Sequence, residues 1–247
     1  MTGETSRRNR VSSPLGGPAA TAGVVASTDE RPRLRLRELT GWEEEYIEQQ
    51  AGETNTARLC NEVLARCLVA PNEPLDEARA SVRTLLVSER DRELVELRRI
   101  SLGSTVQAQV TCPDCGEVSE VDFSLDALPL AFEPPPKEVA VDLPDFGRAV
   151  LRLPTAGDQE DVLDAHVEGE AERRSWLLGR CLVRYGDRVE GFDVDFARTL
   201  PVGVRTRLES AIEEALPDLS LEMSAECSHC GASFSAPFDV ASFFFSS

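Results

Sequence analysis

Four of the seven cysteines fall in two matched runs, Cys112-Pro113-Asp114-Cys115-Gly116 and Cys227-Ser228-His229-Cys230-Gly231. Thiolates three residues apart converge on one side of a tight turn, and the following Gly takes a backbone conformation that a side chain resists. Each pair supplies half of a tetrahedral sulfur site. Together they predict a closed zinc ribbon with Cys112, Cys115, Cys227 and Cys230 as ligands to a structural Zn2+. Such a site keeps no open coordination position, and its binding energy becomes folding energy. A redox pair, two local disulfides and unbound thiols are the other readings. Redox pairs normally sit at a helix N-terminus, whereas strand-like runs flank both pairs here, and disulfides belong to an exported chain. His229 lies inside a knuckle and reads as exposed rather than as a ligand. Cys60, Cys67 and Cys181 fall on apolar helix faces and read as small core residues.

The elements that position these pairs repeat. Leu86 to Cys112 and Leu200 to Cys227 share the order helix, alternating strand, knuckle, with separations of 26 and 27 residues. Phe123 and Phe238 each lie eleven residues past the first Cys of their run, and Leu125 and Val240 follow two further on. In the first unit, Ser88 with Asp91 resembles a capping box. The helix it opens buries Leu94, Leu97 and Ile100 and stops at Gly103. Val106, Ala108 and Val110 then alternate into Cys112. In the second, a helix opening at Pro201 carries Val204, Leu208 and Ile212, and Leu219, Leu221, Met223 and Ala225 alternate into Cys227.

Upstream, Arg33 to Arg37 alternates Arg and Leu, a pattern for a short edge strand. Gly41 to Glu45 opens an acidic helical turn. Thr54, Asn55 or Thr56 caps a helix with Leu59, Val63 and Cys67 on its face, flanked by Leu64 and Leu68, and Pro71 and Pro74 stop it. Pro134 to Pro136 is a stiff break. Val139–Leu143 and Val150–Leu153 form a hairpin about Pro144 to Gly147, and helical patterns follow at 156–167 and 171–184. The prediction is an α+β fold, with helices and short antiparallel strands in two related halves joined by the zinc ribbon. Residues 1–32 form a disordered Arg-containing tail, 33–133 the first half and 134–247 the second.

Composition excludes several classes. The 247-residue chain has 26 basic and 44 acidic residues, a net charge of −18. The first 37 residues carry +4 and the remainder −22, a poor start for phosphate-backbone binding. No apolar run approaches the ~18 residues that span a bilayer. Ser6-Arg7-Arg8-Asn9 resembles the start of a twin-arginine signal, but Arg10 and the Gly16-Gly17-Pro18 break argue for a cytoplasmic chain. His166-Val167-Glu168 ahead of the second knuckle resembles a zinc deaminase pattern, without the Pro that should precede Cys227. No phosphate loop, nucleophile elbow or dinucleotide fingerprint is present. The expectation is a non-enzymatic protein. Phe243, Phe244 and Phe245 near the end of the sequence are candidate partner contacts.

Several runs together resemble the T-even-type phage baseplate hub assembly chaperone family of contractile-tailed phages and contractile injection systems. They are Arg37 to Glu44, Leu64 to Cys67, Ser88 to Leu94 with Leu97 to Gly103, and Arg152 to Thr155 with Asp158 to Glu160. The resemblance spans about residues 34–240 and implies a non-enzymatic factor acting while a baseplate hub is built, with hub or other tail and injection-system proteins as partners. Metal binding rests on this chain's own cysteines. Two further readings are a structural component retained in the finished baseplate and a zinc-ribbon nucleic-acid adaptor. The adaptor should carry basic residues around the knuckles, where Glu117, Glu120, Asp122 and Glu226 stand instead.

Overall fold

The computed structural model describes residues 23–24, 34–50, 52, 55–68, 74–127, 135–167, 169–216 and 222–237. Most of the expected tail, Pro134, Leu219, Leu221, Phe238, Val240 and Phe243 to Phe245 lie outside them. Gly23 and Val24, inside the region expected to be disordered, form the short strand β1 (Gly23–Val24). Four helices follow: α1 (Gly41–Gln50), α2 (Thr56–Cys67), α3 (Leu75–Thr84) and α4 (Val87–Leu102). A hairpin of β2 (Thr105–Thr111) and β3 (Val118–Ser124) carries the first knuckle between its strands. Next come β4 (Glu138–Leu143), β5 (Gly147–Arg152), α5 (Ala156–Asp164), α6 (Glu170–Cys181), β6 (Leu182–Tyr185), α7 (Val194–Thr199) and α8 (Val202–Ala215). β7 (Glu222–Glu226) and β8 (Ser233–Pro237) hold the second knuckle. The mixed helix and antiparallel-strand class is as expected.

Local chemistry sets these elements. The Asn55 side chain accepts the Arg58 N–H at the start of α2, satisfying one of the orphan donors there. Gly103, at φ +87°, ends α4 as expected. The β4–β5 hairpin turns through Pro144 to Phe146 and re-enters at Gly147, whose φ of +78° suits Gly. Four-stranded antiparallel pairing in the order β1-β4-β5-β6 buries Val139, Val141 and Leu151 beneath α6 and α8, with Leu178, Cys181, Leu208 and Ile212. A second apolar cluster joins Leu59, Val63, Leu64 and Cys67 to Val82, Leu94 and Leu97.

Four expectations need correction. The Arg33–Arg37 alternation yields no strand among its described residues; Leu36 makes one bridge to Leu68, and Arg37 N donates to Cys67 O at 2.9 Å. Ser88 is not the cap of α4 but lies buried inside it; Leu86 is the cap residue, and Glu89 Oε2 accepts its N–H at 2.9 Å. Pro201 caps α8 instead of opening it. The helical pattern at 171–184 stops at Cys181, because Leu182 to Tyr185 pair with β5.

An internal repeat runs deeper than the cysteine units. Arg37, Thr40 and Glu43 recur 115 residues later as Arg152, Thr155 and Asp158. In the first set, Arg37 Nη1 and Nη2 each donate to Glu43 at 2.9 Å, while Thr40 N (3.0 Å) and Oγ1 (2.7 Å) donate to Glu43 Oε2. In the second, Arg152 Nη1 (2.5 Å) and Nη2 (2.9 Å) grip Asp158, and Thr155 N and Oγ1 donate to Asp158 Oδ2 at 2.9 and 3.0 Å. Leu64-Ala65-Arg66-Cys67 recurs as Leu178-Gly179-Arg180-Cys181. The bridge Leu36–Leu68 stands where Leu151 pairs with Leu182 in β5–β6.

Both carboxylates are buried, and such groups stay charged only when their hydrogen bonds offset lost hydration. The Arg37 hydrogen bond leads in holding Glu43 down to about 2; burial opposes it and the Thr40 bonds add to it. Burial acts to raise Asp158, but the bonds from Arg152, Thr155 and Arg180 outweigh it and keep this carboxyl well below the usual range.

Candidate metal centre

The two knuckles are built alike. Each Gly lies at nearly the same positive φ, +74° at Gly116 and +73° at Gly231. Gly116 N donates to Cys112 O and Cys112 N to Glu117 O, both at 2.9 Å; Gly231 N to Cys227 O and Cys227 N to Ala232 O repeat this at 2.9 Å. The second sulfur of each pair accepts a backbone N–H two residues on, Cys115 from Glu117 and Cys230 from Ala232. Such N–H···S bonds favour the thiolate.

The hairpins then bring both pairs to one point. All four Sγ atoms lie within 4.8 Å of one another. Cys112 Sγ is 3.8 Å from Cys230 Sγ, and Cys115 Sγ is 3.6 Å from Cys227 Sγ. A tetrahedral S4 shell with metal–sulfur bonds near 2.3 Å requires sulfurs about 3.8 Å apart. A disulfide requires about 2.05 Å, and none of the four cysteines forms one. Cys112 and Cys227 are buried, while Cys115 and Cys230 sit at the surface. Crowding matters here: the Glu117 N–H favours the Cys115 thiolate, but desolvation and the neighbouring sulfurs push this thiol up to about 12. A bound cation supplies the positive charge that four adjacent thiolates need. The geometry is therefore compatible with a metal site.

A family model described as T4 bacteriophage base plate protein matches residues 24–245. The chain belongs to this family. No curated protein and no solved structure matches it. Within this base plate protein, the runs behind the family resemblance include the Arg37–Glu43 and Arg152–Asp158 pairs. The other candidate residues fall apart from the cluster. His229 is exposed, and neither it nor His166 joins the four sulfurs. His166 stands instead at a positive φ of 49° just past α5. Cys60, Cys67 and Cys181 are buried in the core; burial pushes Cys67 up to about 11 and Cys181 up to about 12, leaving them protonated at neutral pH.

One feature escaped the sequence reading. Tyr46, Arg58, Asn61, Glu62, Arg66, Arg79, Arg83 and Glu160 line a cavity of about 300 Å3. Arg58 and Arg83 reach Glu160 and so tie the first half of the chain to the second, while Arg66 and Arg79 reach Glu62 within the first half. Only the Glu62–Arg66 spacing of four on one helix marked any part of it in the sequence.

Proposed function

We propose that this base plate family member is a non-enzymatic assembly factor for the central hub of a contractile baseplate, carrying a structural Zn2+ on Cys112, Cys115, Cys227 and Cys230. The family match over nearly the whole chain carries this reading. Zinc fits a donor set of four sulfurs, and a full S4 shell has no position for substrate or water. Its role is to fasten the two hairpins and thereby hold the partner-binding body together. Assembly takes place in the cytoplasm, where thiols stay reduced.

A protein partner fits better than nucleic acid. Asp114, Glu117, Asp122 and Glu226 are exposed around the knuckles, and acidic groups there repel a phosphate backbone. Retention in the finished particle is the second reading, favoured by the family's description as a base plate protein. Quantitative mass spectrometry of purified contractile particles and of the soluble lysate separates the two. An assembly factor is absent from particles and found with a hub subunit in the lysate. A fixed ratio to hub subunits in particles establishes the retained component. Association with neither overturns both.

A further inference from the structure

The two units of the repeat touch through a defined contact. Where α3 meets α4, Leu85 to Val87 run beside the start of α5. Leu86 bridges to Thr155, Ala156 N donates to Leu85 O at 2.8 Å, and Val87 N donates to Pro154 O at 3.4 Å. Arg83 adds ion pairs to Glu160 at 2.7 Å and Asp161 at 2.6 Å. The first unit thus supplies a junction and the second a seat. Ala156 and Gly157 are buried at this contact, and Val87 is half-buried.

Each surface has a counterpart 115 residues away in the sequence. α7 ends at Thr199 and α8 begins at Val202, as α3 ends at Thr84 and α4 begins at Val87, so Leu200 to Val202 repeat the junction. α1 begins at Gly41 as α5 begins at Ala156, so Leu39 to Trp42 repeat the seat. Pro201 replaces Leu86 without loss, because both hydrogen bonds across the contact use groups on the residues flanking Leu86.

The chain does not join this second junction to this second seat. Thr40, Gly41, Trp42, Pro201 and Val202 are all exposed, and Gly41 N and Val202 N make no hydrogen bond among the described residues. Trp42, 77% exposed, and Val202, 79% exposed, are the most exposed large apolar side chains among those residues. Their counterparts, Gly157 and Val87, are the two residues that the contact within the chain covers. Stacked repeats normally end in polar faces, and Trp is a frequent anchor of protein contacts.

We propose that a second copy of this chain fills the open seat. The Leu200–Val202 junction of one copy docks on Thr40–Trp42 of the next, as Leu85–Val87 dock on Thr155–Gly157 within the chain. Docking brings Arg198, the counterpart of Arg83, toward Glu45, the counterpart of Glu160. The present partners of Arg198 are Glu172 and Asp195 in exposed pairs, which exchange at little cost. A Cβ on Gly157 would stand 3.0 Å from Arg83 O, so Trp42 sets the two copies slightly further apart and offers its ring to Arg198. The two surfaces differ, so the contact is heterologous and leads from copy to copy in a ring or an open chain. This goes beyond the hub reading and stands whether or not a hub subunit is the partner.

The test is sedimentation velocity of the full chain from about 1 to about 300 μM, in about 0.3 M salt to screen its charge of −18. The average mass should climb past that of a dimer, with a dissociation constant of about 100 μM for so small a contact. Trp42→Glu removes the seat and Val202→Glu the junction. Both positions lie in the first turn of a helix, where an acid is tolerated, and an unchanged melting temperature checks each fold. Each variant alone should stay monomeric. Mixed in equal amounts, they should form a 1:1 dimer and nothing larger, since one retains a junction and the other a seat. Arg198→Glu should behave as Val202→Glu does. A wild-type chain monomeric at the highest concentration overturns the proposal, as does association that survives these substitutions. Association that is lost and does not return on mixing identifies a self-complementary face and overturns the head-to-tail contact.

Discussion

Cys230→Ser changes one surface residue of a knuckle yet removes a quarter of the proposed metal shell. The magnitude follows from topology. A metal on all four sulfurs cross-links Cys112 to Cys227, closing a loop of 115 residues. By analogy with a disulfide, closing a loop of that length stabilises the fold by about 5 kcal/mol, chiefly by restricting the unfolded chain. For a domain of 150–250 residues each kcal/mol moves the melting temperature by about 2–4 °C, so the expected fall is roughly 10–20 °C. Metal is counted by inductively coupled plasma mass spectrometry on the purified chain, and stability is followed by circular dichroism with and without a chelator. Cys115→Ser, in the other knuckle, should produce the same metal loss and the same shift, because one ion serves both hairpins. Cys60→Ala, in the core, should keep one metal per chain. Full metal and an unchanged melting temperature in both Ser variants would refute the shared site, as would loss on one side only.

The remaining predictions concern the frame around that site. Asp158→Ala leaves Arg152 and Arg180 without their shared carboxylate and should cost about 3 kcal/mol in a urea melt; both arginines retain solvent access, so the loss sits at the low end of the range for broken buried pairs. Glu43 is held down to about 2 against an ordinary value of 4.5. The unfolded chain therefore binds the extra proton between these pH values, and stability falls as pH drops through that window. With Arg37 39% exposed, this contribution is about 2 kcal/mol after screening, is fully present above about pH 4.5, and disappears from the pH profile in Glu43→Gln. Gly179→Ala would place a methyl 2.4 Å from the Asp193 carbonyl carbon, forcing α6 and α7 apart at a cost of about 2–3 kcal/mol in the same melt.

The parts of the fold legible in the sequence are those with a short-range signature. Cys112, Cys115 and Gly116, with their counterparts at 227, 230 and 231, specify a turn whose geometry each residue type dictates. The cap at Asn55, the stop at Gly103 and the β4–β5 hairpin each rest on one or two residues with a local preference. α3 was missed because only Ala78 and Val82 of its ten residues are buried, too thin a stripe to mark a period. β6 was read as helix because Leu182 follows α6 without a break; its pairing with β5, 31 to 36 residues upstream, decides its conformation.

The repeat of the two Cys-x-x-Cys units is legible in the sequence, whereas its extension to the Arg–Thr–acid clamps is not, and the cause is physical. Hydrophobic periodicity detects apolar faces, whereas this duplication is written in polar residues: an Arg, a Thr three later and an acid three after that. Such a set carries no moment of its own, and its meaning appears only when the chain folds the Arg back onto the acid. Matching the chain against itself at a fixed offset reveals it. Arg37 aligns with Arg152, Glu43 with Asp158 and Cys112 with Cys227, all 115 residues apart. That constancy also explains why two knuckles so distant in sequence can share one ion. Each closes an equivalent unit that begins at an Arg–acid clamp and ends at a Cys-x-x-Cys hairpin. Placing the two units side by side brings the hairpins together, and a metal on the four sulfurs would need only to join what the frame has already placed.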